Sequence, residues 1–115
     1  MLKIEYSKIV LRKLQALKRK LDSEFGEDVS KGKMVHIVDA LDNLVISSNP
    51  GESMRDRFNV DTDYRFVVIS PNIFILSVVN NKIIVKQMFN EKEDFIYKLF
   101  KVSMRSTESQ NYWGE

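Results

Sequence analysis

The chain contains no cysteine and a single histidine, His36, with only 2 Pro and 4 Gly in 115 residues. Without cysteine there is no disulfide scaffold, thiol catalysis or thiolate-ligated zinc, and one isolated histidine does not make a histidine-rich metal site or a His-dependent triad. Neither a metal nor a cofactor is expected. No phosphate-cradling glycine motif is present, because Gly26, Gly32, Gly51 and Gly114 are scattered singly. No apolar run approaches the ~20 residues that span a bilayer, and the opening MLKIEYSK puts charges where a signal peptide needs an apolar stretch. No membrane association and a reducing cytoplasm are therefore expected.

What is present suits one compact domain: 43% hydrophobic and 30% charged residues in a chain too short for two cores. The net charge of +2 conceals an uneven distribution. Residues 1–20 carry seven Lys or Arg against one Glu, residues 21–63 four against ten acids, and residues 64–115 seven against five. A basic end of this kind marks either a surface for a polyanion or the solvated face of a helix.

Leu2-Lys3-Ile4-Glu5-Tyr6 alternates as a short strand does. Ser7 is placed to cap a helix on which Val10, Leu14, Leu17, Leu21 and Phe25 form one apolar stripe. Gly26 stops it, and Glu27-Asp28-Val29-Ser30 reads as a turn carrying the N-cap of a second helix with Met34, Ile37, Val38, Leu41, Leu44 and Val45 along one side. The two helices should form an antiparallel hairpin, ended by Asn49-Pro50-Gly51.

From Glu52 the period becomes alternating, and strands are predicted at 54–60, 64–70, 73–79 and 82–89 as an antiparallel meander, with FVVIS and NIFILSVV at its centre. Phe95, Ile96, Leu99 and Phe100 mark a short last helix. The fold class is α+β. Residues 1–102 form the domain, and 103–115 a polar tail with no clear period, in which Tyr112 and Trp113 are the apolar groups able to anchor it.

The order strand, helix hairpin, meander, terminal helix, with YSKIVLRKL near the start, DYRFVVI in the meander and MFNEKEDFIYKLF at the end, resembles the RelE/ParE toxins of bacterial toxin–antitoxin systems over residues 2–101. The last segment is the most specific, and looks like a strand-to-helix closure MFNEREDF-x-x-KLF, with Lys92 standing where that pattern has Arg. The resemblance implies a small toxin with a cognate antitoxin as partner. Its first implication for action is inhibition of translation by ribosome-dependent cleavage of mRNA, as in RelE-like members, with poisoning of DNA gyrase without nuclease activity, as in ParE-like members, as the alternative. A protein-binding descendant that is no longer toxic is a third reading, since fold alone does not choose.

Metal-independent RNA cleavage needs a base, an acid and cations for the phosphorane-like transition state, and arginine suits the last task. On a strand at 54–60, Arg55, Arg57 and Asn59 would share a face, as would Lys82 and Lys86 on 82–89. The YR match places Arg65 in the cleft of RelE-like toxins. By the same resemblance Lys92 and Tyr97 stand near the family's terminal basic and tyrosine residues. The catalytic candidates are thus Arg65, Arg57, Lys92 and Tyr97. Arg55, Arg57, Arg65, Lys82 and Lys86 form an expected RNA floor, joined by Lys13 and Arg19 among the helix cations Lys8, Arg12, Lys13, Lys18, Arg19 and Lys20, all expected to face solvent. Two departures stand against the nuclease pattern. No histidine lies in the last strand or terminal helix, and Glu91, Glu93 and Asp94 crowd Lys92 with negative charge. His36 is expected to be structural or half-exposed.

Overall fold

The computed structural model describes residues 2–100; the boundary at 102, the polar tail and its anchors Tyr112 and Trp113 lie outside that range. Nine elements follow one another: β1 (Lys3–Tyr6), α1 (Lys8–Phe25), α2 (Glu27–Ile46), β2 (Glu52–Ser53), α3 (Met54–Phe58), β3 (Arg65–Ile69), β4 (Asn72–Val79), β5 (Lys82–Asn90) and α4 (Phe95–Phe100).

Ser7 caps α1 as expected, its hydroxyl oxygen accepting from the Val10 amide at 3.2 Å. Val10, Leu14 and Leu21 are buried along one side with Leu17 packed against them, whereas Phe25, the last residue of the expected stripe, is 54% exposed. The link between the helices is shorter than predicted. Gly26 alone, at φ +88°, ends α1 and begins α2, so Glu27 and Asp28 are the first turn of α2 and not part of a loop. Ser30 is consequently no cap. It is fully buried within α2, and its hydroxyl donates to the Lys18 carbonyl, tying the two helices together. Ile37, Leu41 and Leu44 form the buried side of α2, while Val38 is exposed.

The sheet has five strands in the order β1-β5-β4-β3-β2, with β1 parallel to β5 and the remaining pairs antiparallel. The meander is therefore present, but its first strand is two residues long and lies before the predicted range. Residues 54–58, expected in a strand, are helical. Ser53 caps this helix by accepting from the Asp56 amide, and Asn59 ends it in the left-handed conformation at φ 56°. Only β4 is central with full strands on both sides. FVVIS, expected beside it in the middle, pairs on its outer side with the short β2 through Arg65 and Phe66 alone.

Two apolar clusters occupy the two sheet faces. One packs Phe74, Leu76, Ile69, Ile83 and Val85 against Val10, Leu14, Ile37 and Leu41 of the hairpin. The other gathers Phe66, Ile73, Ile75 and Phe89 beneath Met54, Phe58, Phe95 and Ile96 of α3 and α4. The strand alternation explains this division, since Phe66 and Val67, or Phe74 and Ile75, point to opposite faces.

Candidate functional site

The second face of the sheet is the aromatic one. Phe58 lies 5.1 Å from Phe66 and meets Phe95 edge-on at 5.4 Å, while Tyr64 and Phe100 are 6.1 Å apart. These rings hold α3 and α4 to the sheet.

The structure does not assemble the expected floor of arginines. Because α3 replaces a strand, Arg55 and Arg57 do not alternate along one sheet face. The Arg55 guanidinium lies 3.2 Å from the Asp63 carboxylate and 3.3 Å from Asp61, and also donates to the Thr62 carbonyl. Arg57 pairs with Glu52 at 3.2 Å. Arg65 shares its face with Val67 and Ile69, which pack into the hairpin cluster, so it stands on the opposite face from Phe66. There its Nε and Nη2 both donate to the Gly51 carbonyl, at 3.1 and 2.8 Å. That fork fixes a tight corner: Gly51 is at φ +90°, and an added Cβ would meet the Phe66 carbonyl oxygen at 2.7 Å. Arg65 is thus engaged in holding the loop that feeds β2 and α3.

On β5, Lys82 pairs with Glu5 across the parallel β1 junction at 2.8 Å. Lys86 differs from the arginines. The register with β4 slips there, Ile75 facing Gln87 and Leu76 facing Val85, so Lys86 is the extra residue of a β-bulge. Ser7 stabilises the bulge by donating to the Lys86 carbonyl at 3.0 Å. The Lys86 ammonium sits 5.9 Å from the centre of the Tyr64 ring, with no carboxylate partner among the described residues. Cation and ring together are the part of the predicted site best suited to a phosphate and a base.

Lys92 is exposed in the turn before α4, its amide donating to the Asn90 side chain. Its surroundings are acidic: Glu91 accepts from Ser70, and Glu93 accepts from the Asn90 amide and from Lys98. The Lys98 contact and the Asn90 amide together hold the Glu93 carboxyl below the usual range, so it stays ionised. Tyr97, on α4, is half-exposed.

Of the α1 residues, Arg19 is exposed as expected but Lys13 is not. Lys13 is half-buried, donates to the Met88 carbonyl at 2.7 Å and lies 4.7 Å above the Phe89 ring, locking α1 to β5. His36 is exposed on α2. It borders a groove of about 570 Å³ between the far half of the hairpin and the β3–β4 turn, lined by Leu17, Leu21, Phe25, Val29 and Ile37. Sequence reading missed this groove, although the exposure of Phe25 and Val29 has a signal in their position beside Gly26, where the hairpin turns. Among the described residues no group of three or more His, Asp or Glu is placed to hold a metal ion, and no helix is long and apolar enough to cross a membrane.

The comparisons agree with this architecture. A solved structure described as the chromosomal ParDE TA system from P. aeruginosa matches with a TM-score of 0.64, over 78% of this chain and 96% of that one, at 14% sequence identity. The chain thus has the α+β fold of a ParDE system protein, as the RelE/ParE resemblance implied. No protein-family model and no curated protein matches the sequence.

Proposed function

We propose that this protein is the toxin-type component of a toxin–antitoxin pair, neutralised by an antitoxin polypeptide, and that it acts by docking onto a macromolecular target. The ParDE-like fold supports the first half of this reading. The second half rests on one observation: the arginines that a nuclease would present to a scissile phosphate are already engaged, Arg55 and Arg57 with carboxylates and Arg65 with the Gly51 carbonyl. Transition-state stabilisation requires donors preorganised toward the substrate, and these donors point elsewhere. A docking toxin needs only a complementary surface, and DNA gyrase is the target class carried by the ParE side of the resemblance.

Ribosome-dependent mRNA cleavage is the second reading, favoured by Lys86 beside Tyr64, a cation and ring suited to a nucleotide. Expression of the full chain with and without the product of the adjacent reading frame tests the proposal. Growth arrest relieved by a neighbour that co-purifies with the protein is expected. A neighbour that neither binds nor protects contradicts the antitoxin. Gyrase-linked double-strand breaks with intact messages favour docking, and cut messages favour the nuclease.

A further inference from the structure

The two long helices differ in what they show to solvent. On α1 the side turned away from the sheet is basic, with Lys8, Arg12 and Arg19 exposed opposite the buried Val10, Leu14 and Leu21. On α2 apolar side chains occupy both sides. Ile37, Leu41 and Leu44 are buried toward the sheet, yet Val35, Val38 and Ile46 are 48%, 40% and 75% exposed on the outside. A helix that is apolar on both sides is normally covered on both. Among these outer residues stand Asp39 and Asp42, exposed and without a cationic partner among the described residues. Lys8 and Arg12 likewise have no acidic partner there.

The helices are antiparallel neighbours, and the Ser30 hydroxyl on the Lys18 carbonyl fixes their register. Counting away from that bond brings Leu11 level with Val38, Arg12 level with Ile37 and Lys8 level with Leu41, to within about a residue. Leu11, 46% exposed, lies within ~20° of Asp22 around α1, and Asp22 interacts with the Ser30 hydroxyl, so this flank is the one beside α2. Leu11 and Val38 therefore form an apolar seam between a basic stripe on α1 and an acidic stripe on α2. A two-fold axis parallel to the helices, laid above this seam, stacks α1 of one copy on α2 of another and keeps each residue at its own height. Arg12 then stands one or two residues from the height of Asp39 in the other copy, and Lys8 as near to that of Asp42. Helical side chains lean toward the N-terminus of their own helix, and the stacked helices run antiparallel, so each cation and its acid lean toward one another. Every pair occurs twice, as an isologous interface requires, and the four helices make a bundle.

We infer that the outer face of the hairpin binds a second copy of this chain, α1 on α2 in both directions, with reciprocal Arg12–Asp39 and Lys8–Asp42 pairs flanking a seam of Leu11 and Val38. The carboxylates within the face oppose a polyanion as its occupant. Two helices ~27 Å long and ~10 Å wide give a footprint of ~500 Å² per copy, the lower end of specific interfaces, so a weak dimer is expected. The inference stands apart from the toxin reading, since it concerns the purified chain alone.

The test is sedimentation equilibrium of the full chain at low salt, over a dilution series from millimolar to micromolar. Wild type should pass from twice the chain mass to the chain mass. Arg12→Glu and Asp39→Arg should each weaken the dimer at least ~10-fold, because each sets two like-charge contacts in it. Mixed in equal amounts, the two variants should recover wild-type association, since each replaced side chain then meets its opposite charge on the other variant. Lys92→Glu, the same change of charge in the turn before α4, should leave association as it is. The replaced residues are exposed, so circular dichroism should show the wild-type fold; if a reversal costs the fold, Arg12→Gln and Asp39→Asn replace it and should each weaken the dimer. Single-chain mass for wild type at the highest concentration, wild-type association by a folded Arg12 or Asp39 variant, or a mixture as weak as its components would overturn the inference. So would equal weakening by Lys92→Glu, or a single wild-type chain that binds labelled RNA through Arg12, which would give the face to a polyanion.

Discussion

The two faces of the sheet arise from the same strands and are closed in different ways. The hairpin face is sealed by aliphatic packing around Phe74, Leu41, Val10 and Val85, all fully buried. The other face is covered by two short helices of five and six residues held through rings, with half-exposed Tyr97 and the cation-bearing Tyr64 at its margins. Helices this short have little stability of their own and depend on the contacts beneath them. Both faces hold fully buried side chains, Met54 and Ile75 on this one, but only the hairpin face is closed by long helices. Arg65 is informative here, a predicted site residue that belongs to the hairpin face.

A cavity on the hairpin face should have the largest effect. Phe74→Ala should cost about 3–5 kcal/mol in urea unfolding; a loss below ~1 kcal/mol would mean that the core is not centred there. Arg65→Ala comes next. It leaves the Gly51 carbonyl without its fork, and about 1–3 kcal/mol of stability should be lost. An unchanged unfolding midpoint, coupled with loss of growth arrest, would return Arg65 to the site. Replacing both Arg55 and Arg57 by Ala removes exposed ion pairs, each worth ~1 kcal/mol or less, so the midpoint should move little.

The smallest effect is acid sensitivity at the base of α4. Glu93 has a carboxyl pKa lowered in the fold by Lys98 and the Asn90 amide, so its contribution is present above the unfolded value near ~4.3 and is lost as pH falls through the folded value. Partial exposure keeps the contribution small. Comparing acid unfolding of wild type and Glu93→Gln checks the sign: the difference should be present at neutral pH and shrink as pH falls below the unfolded value.

Much of the architecture was legible because it is written at short range. Ser7, Gly26 and the 3.6-residue stripes define the hairpin, and β-branched apolar runs bounded by short turns define β3 to β5. The error at 54–60 has a local cause. Phe58, Asn59 and Val60 alternate like a strand, but Asp56 breaks the pattern, and Met54 and Phe58 stand four residues apart, the spacing of one helical turn. A serine followed three residues later by an acid, Ser53 and Asp56, was the available sign of a helix start. The turn expected over residues 27–30 is helical instead, because Gly26 provides so tight a link that α2 begins at Glu27.

The site was far less legible. Whether a cation is free depends on partners distant in sequence: Lys13 meets Met88 and Arg65 meets Gly51, while the bulge aiming Lys86 appears only once β4 and β5 are paired. Arg55 was closer to readable, since Asp61 and Asp63 lie only a few residues on.

Docking with the arginines internally engaged is put to the test by mapping message 5′ ends in a reconstituted translation reaction containing the purified chain. No new 5′ ends are expected at any concentration that arrests growth in cells. New ends at a ribosome-bound codon, lost in a folded Arg55→Ala/Arg57→Ala variant, would contradict it.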